Sequence, residues 1–292
     1  MEWWFWTLYG LGLCLIRLTR LRENALRTDT LLLSHAWRLP LSWTAHRDAT
    51  SHLRNRVVGE VVGAAAGLAV GTAVAVGADG LLQAAPVFGF GIGGTAGSAV
   101  TGVSRLPRRD AGVRSTHARH VVLRDYVPPW LIAGVWFSAA AAIVASLLAL
   151  PDGDGAGGAG RVGVLVLVAL TALSSVGFQL VGRRAVRAPS AARTDLELAW
   201  QDGLRSRAAI DSATLSLGIS LTTLLVAFAP LFPWHRDLVL YLAVFVALGA
   251  ACLAYWAARP ARTFRRRLWD DRVFELEPAD LVETPVRTGD RA

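Results

Sequence analysis

Apolar residues in this chain gather into long blocks separated by polar stretches. Blocks near residues 2–17, 57–78, 81–103, 128–150, 162–182, 209–231 and 237–258 carry few or no charges in their interiors. Several reach the roughly 20 residues that cross a hydrocarbon core about 30 Å thick. An open sheet in lipid would leave its edge groups unpaired, and a barrel would need alternating strands of about 10 residues. The pattern therefore predicts an all-α fold, a polytopic transmembrane helix bundle of about seven spans.

The arginines orient it. Arg17, Arg20, Arg22, Arg27, Arg38, Arg47, Arg54 and Arg56 follow the first block. Arg105 to Arg124 follow the third, Arg183 to Arg207 the fifth, and Arg259 to Arg267 the last. The intervening connections, Asp79–Gly80, Pro151 to Gly160 and Phe232 to Arg236, are poor in arginine. Alternate basic loops face the cytoplasm. The N-terminus is then outside and the C-terminus cytoplasmic. The pattern closes only with an odd number of spans, which keeps the short first one.

The expected organisation follows. Residues 1–18 form a first transmembrane helix and 19–56 a cytoplasmic amphipathic segment. Residues 57–258 form a six-helix bundle with cytoplasmic loops 104–127 and 183–208. Residues 259–292 form a basic-then-acidic cytoplasmic tail. The first block has Glu2 rather than a basic leader and no small-x-small cleavage site, so it reads as retained. Blocks four–five and six–seven are similar arginine-preceded hairpins, which suggests a weak repeat.

Composition agrees with the pattern. Only 18% of residues are charged, 53% are hydrophobic, and the mean hydropathy is +0.42. The net charge of +8 comes entirely from arginine, since lysine is absent. Because the arginines lie between apolar blocks, the basic balance points to a membrane surface and not to nucleic acid. Cell-membrane, multi-pass localisation is expected. Cys14 and Cys252 both fall in apolar blocks and read as small fillers.

Glycine recurs every fourth residue in blocks two and three: Gly59, Gly63, Gly67 and Gly71, then Gly89, Gly93 and Gly97. One small row per helix lets two backbones approach closely. The rows serve a tight hairpin within one chain, an oligomer contact, or a narrow path. Gly89-x-Gly91-x-x-Gly94 matches a dinucleotide fingerprint only as letters, since it lacks the strand, the βαβ unit and the distal acid.

Polar groups at membrane depth are the remaining candidates. Glu60 and Asp211 lie near the cytoplasmic boundary, where Arg56 or Arg207 can pair with them. Ser216, Ser220 and Thr223 make block six rich in hydroxyls, and Gln179 stands in block five. A polar pathway, if the chain has one, is expected between blocks five and six. His117 and His120 share a helical face without further metal ligands, and Asp152-x-Asp154-Gly155 lacks a calcium loop's distal Glu. Without lysine there is no Walker A loop and no Schiff-base chemistry. HExxH, CxxC and GxSxG are absent, so no catalytic residue, metal ligand or cofactor is assigned.

Thr194-Asp195-Leu196-Glu197 reads as a capping box. After it, Leu196, Ala199, Trp200 and Leu204 form an apolar stripe, with Arg193, Glu197 and Arg205 on the other side. This is expected to be an amphipathic helix on the inner surface or against a partner. The segment from Arg193 through Trp200, Asp202 and Gly203 to Arg205, ahead of a hydroxyl-rich span, resembles multi-span membrane proteins of high-GC actinobacteria that carry no assigned activity. The resemblance covers about the second half of the chain. Some of those proteins look like membrane partners of ATP-driven transporters. Two functions are thus expected: a permease-like or transporter-associated membrane subunit, or a non-transporting scaffold or regulator acting through its loops and tail. Expected partners are the bilayer, a cytoplasmic ATPase or regulator, and a second copy of the chain.

Overall fold

A computed structural model describes residues 3–77, 85–104, 121–149, 158–187, 192, 194–228, 236–258 and 260–269. Among these residues the chain is all-helical, without strands. The helices are α1 (Trp3–Leu18), α2 (Glu23–Trp37), α3 (Trp43–Gly77), α4 (Ala85–Ser104) and the single turn α5 (Leu123–Tyr126). They continue as α6 (Pro129–Leu148), α7 (Gly158–Arg187), α8 (Asp195–Ala227), α9 (Arg236–Ala258) and α10 (Pro260–Leu268). Four helices, α3, α6, α7 and α8, contain stretches long and apolar enough to cross a membrane. The helices α1, α4 and α9 fall on the other three predicted blocks. His117 and His120, the connector 150–157, Trp234, His235 and the acidic tail beyond 269 lie outside the described residues, as does Asp79.

Prolines and caps set the boundaries. Pro40 precedes α3, Pro128 and Pro129 open α6, and Pro260 opens α10. Proline fits a first helical turn because its missing N–H is unpaired there anyway. Thr194 caps α8: its hydroxyl accepts from the Glu197 N–H at 3.2 Å. The helix α2 ends at Arg38, which takes a left-handed conformation at φ 52°.

Two helices run longer than their apolar blocks. The 35 residues of α3 span about 52 Å and begin 14 residues before the apolar stretch at 57. The 33 residues of α8 join the capping-box segment and the sixth block without a break. No proline interrupts either helix, so each continues past the point where its composition turns polar.

Helix α8 is the hub, packing on α4, α6, α7, α9 and α10. The α3–α4 pair is the most extensive, and α1 lies across both. The main core lies around the N-terminal half of α8. There Trp37, Leu39, Tyr126, Leu131, Phe178, Leu198, Trp200, Ile210, Phe264 and Trp269 pack together.

Candidate functional site

The polar chemistry concentrates around Asp202, which is fully buried in the N-terminal half of α8. Its carboxylate accepts from the Tyr126 hydroxyl at 2.9 Å and from the Trp269 indole N–H at 3.2 Å. Arg205, one turn along, lies 3.9 Å from it. Ser206 donates to the Tyr126 carbonyl at 2.7 Å, so two adjacent turns of α8 hold α5. The turn is pre-set locally, because Asp125 accepts from the Val122 N–H at 2.9 Å. A buried carboxylate demands such a donor set, since an unpaired one would be prohibitive in an apolar core. Burial, and then the neighbouring Asp202 charge, raises the Tyr126 phenol well above its ordinary pKa.

Aromatic packing completes this junction. Trp37 sits 5.4 Å from the Trp200 ring and 5.8 Å from Phe264. Gly203 provides the space: a Cβ there would come within 2.6 Å of the Trp37 ring. The Trp200 indole donates to the Pro40 carbonyl at 3.0 Å. Arg265 on α10 donates to the carbonyls of Trp37 and Arg38, at 2.9 and 2.6 Å, and so caps the left-handed end of α2. The expected amphipathic helix is therefore buried along its apolar stripe and, on the other side, at Arg205. Leu196, Ala199, Trp200 and Leu204 are covered by this chain's own α2 and α3 region, and Arg205 faces the core instead of solvent.

Glu60 and Asp211 are each paired, with partners on different helices. Glu60 bonds Arg17 of α1 rather than an arginine on its own helix. Arg17 also lies over the Phe90 ring, 5.3 Å from its centre. Asp211 pairs with Arg56 at 2.6 Å, tying α8 to α3. The pairing satisfies both carboxylates where water gives way to apolar side chains.

The glycine rows meet face to face. Added Cβ atoms at Gly59, Gly63 and Gly67 would overlap the carbonyls of Gly97, Gly93 and Gly89 in turn. The reverse overlaps hold as well. Gly71 continues the row, its backbone nitrogen 3.3 Å from a Cβ at Gly89. The glycines of the false fingerprint thus sit within α4, and Gly91 faces open space.

The hydroxyls of α8 meet those of α7. Thr171 donates to Thr223 at 2.9 Å, and Ser175 and Ser216 lie 3.2 Å apart. Ser220 bonds the Ser216 carbonyl at 2.8 Å. Gln179 stands half-buried one turn beyond Ser175. Thr171, Ser175, Ser216, Ser220 and Thr223 are thus bonded to each other or to their own backbones. Among the described residues, a small hollow lies between α3 and α8 beside Asp48, Glu197 and Trp200, with room for about one water.

Sequence reasoning brought Glu60, Asp211, the glycines and the hydroxyls forward. It missed Asp202, Tyr126, Trp37 and Trp269. The one local signal was Asp202-Gly203 inside a helix beside Trp200, where a glycine is unfavourable unless something packs on it. The chain matches no family model, no curated protein and no solved structure.

Proposed function

We propose that this chain is a seven-span protein of the cell membrane, N-terminus outside and C-terminus cytoplasmic, acting as a non-transporting scaffold or regulator through its cytoplasmic end. One observation carries the topology. Trp37, Tyr126, Asp202 and Trp269 meet in a single junction, though each follows or precedes a different hairpin. That meeting supports an even number of crossings between each and the next. The described arginine-rich segments, from Arg17 to Arg56, at Arg183 to Arg187 and from Arg265 to Arg267, lie toward this end, which the positive-inside rule would assign to the cytoplasm.

The scaffold reading draws on the same geometry. Bonds across the seam between α7 and α8 favour this reading, and the buried polar chemistry serves to fix α2, α5 and α10 on the bundle. A permease-like subunit serving a cytoplasmic ATPase is the second reading. It draws on the hydroxyl-rich α7–α8 seam, which would have to open. Cysteines placed at Thr171, Ser216 and Thr223, in a chain with Cys14 and Cys252 replaced by Ser, separate the two. A scaffold leaves all three unreactive toward a membrane-impermeant thiol reagent. Labelling from either side of a sealed vesicle would overturn it in favour of a conduit.

A further inference from the structure

The contact between α3 and α8 leaves hydrogen-bond donors over. His52 and Arg56 stand one turn apart on α3, and Arg207 and Asp211 one turn apart on α8. Each pair therefore shares a helix face. The Arg56–Asp211 ion pair brings the two faces together. Helix α4 closes a third side, since Gly102 lies against Ala208 and the His52 imidazole. Arg207 has Arg56, Asp211 and Tyr255 as ionisable neighbours, with Asp29 the weakest of them. His52 has Arg56 and Arg207. Two guanidinium groups and an imidazole thus converge on one close carboxylate.

That carboxylate does not satisfy them. His52 is only 4% exposed, and its Nδ1 has no hydrogen-bond partner among the described residues. The buried Nε atoms of Arg56 and Arg207 are in the same position. Buried polar atoms are rarely left so, and two guanidinium Nε–H donors beside an imidazole on facing turns call for an acceptor-rich group. The group must also be anionic, because Asp211 offsets only one of the two arginines at close range. Phosphate oxygens suit guanidinium forks, and an imidazole protonated at Nδ1 adds a further donor. Arg56 keeps 19% of its side chain exposed, which leaves the cluster a mouth.

We propose that His52, Arg56 and Arg207 bind a phosphate group at the junction of α3, α4 and α8, from an anionic lipid headgroup or from free phosphate. Only the lipid source rests on the membrane reading above. Basic clusters between helices at the cytoplasmic boundary suit anionic headgroups.

The test uses the full chain in detergent. Phosphatidylglycerol, phosphatidylcholine and inorganic phosphate are titrated separately, and native mass spectrometry and the melting temperature are read. A lipid source shows as phosphatidylglycerol binding that phosphatidylcholine does not mimic. A free-phosphate source shows as a melting shift with inorganic phosphate alone. In either case Arg207→Gln weakens binding at least about tenfold, the scale of a lost charged hydrogen bond. Arg266→Gln, exposed on α10, leaves it unchanged. If Arg207→Gln does not fold, His52→Phe fills the same space without the donor and should weaken binding several-fold. Affinities that no variant at His52 or Arg207 alters, or no binding of any of the three titrants, would overturn the site. Failure of the membrane reading would show separately, as a chain that stays monodisperse without detergent.

Discussion

Where α3 meets α4, nothing separates the two backbones: glycine opposes glycine from Gly59–Gly97 to Gly67–Gly89. Where α8 meets α2, α5 and α10, the space is filled by Trp37, Trp200 and Phe264 around a buried carboxylate. The first contact gains from closeness, through dispersion and weak Cα–H···O contacts along two smooth ridges. The second gains from apolar area and from satisfied polar groups in a water-poor core. On the membrane reading proposed above, lipid accounts for the difference: between spans there is no water to exclude, so large side chains bring little there, whereas beyond the bilayer hydrophobic burial operates again.

The largest expected effect lies in the glycine contact. Gly67→Val would place side-chain atoms on the Gly89 backbone, which cannot move aside as a flexible side chain would. The two helices must separate, at about 5 kcal/mol or more, the exceptional range for a single substitution. Loss of the monodisperse peak, or a large drop in melting temperature in one fixed detergent, would register it. Gly91→Ala and Gly134→Ala meet nothing within 4 Å and should be neutral or slightly stabilising. Equal losses at Gly67 and Gly91 would remove the distinction between a packed and an open glycine.

Next comes the junction. Asp202→Leu removes the acceptor for Tyr126 and Trp269 and leaves Arg205 facing a hydrocarbon side chain. Breaking a buried charge set by one partner costs about 3–5 kcal/mol. The loss should be local first, releasing α10, so limited trypsin cleavage within Arg265–Arg267 should quicken before the bundle melts. Cleavage at the wild-type rate would show that Asp202 does not hold α10.

These two regions were unequally legible. A four-residue glycine period survives in the sequence because both ridges follow the helical repeat. The hydroxyls of α8 were likewise visible by type, and the seam with α7 was named as the place for a polar pathway. The junction was not visible, for a physical reason. The spacing of Leu196, Ala199, Trp200 and Leu204 says which face is apolar, but not what covers the face opposite. Asp202 and Arg205 look like a solvated surface until Tyr126 and Trp269, 76 and 67 residues away, arrive over them. Helix length was misjudged similarly. Hydropathy marks where lipid begins, whereas α3 and α8 continue for as long as nothing breaks their backbone hydrogen bonding.

A pH series sharpens the junction further. Because the folded Tyr126 phenol has a raised pKa, the fold favours its protonated form. That contribution is fully present below the unfolded pKa of about 10 and is lost as pH rises through the folded value. The stability advantage of wild type over Tyr126→Phe should thus be constant up to about pH 10 and shrink above it. Below pH 10 it should be about 1.5–3 kcal/mol, the worth of a hydrogen bond to a charged acceptor. An advantage that grows with alkalinity would contradict the Tyr126–Asp202 bond as drawn.

The smallest effect is expected at the hydroxyl seam. Thr171→Val, Thr223→Val and the double variant make a cycle around the 2.9 Å bond between α7 and α8. Hydroxyl pairs between spans couple weakly, by about 0.6 kcal/mol, because the separated helices find other partners in lipid. Thr171 and Thr223 can each turn back to their own helix carbonyls when the other is lost. Asp202 differs, since its carboxylate is the acceptor for two side chains distant in sequence, Tyr126 and Trp269. The coupling at Thr171–Thr223 should therefore fall below that measured by the same cycle at Tyr126–Asp202. If the hydroxyl pair coupled more strongly, interhelical polar bonds within the spans would hold this bundle, and the junction would be an accessory to them.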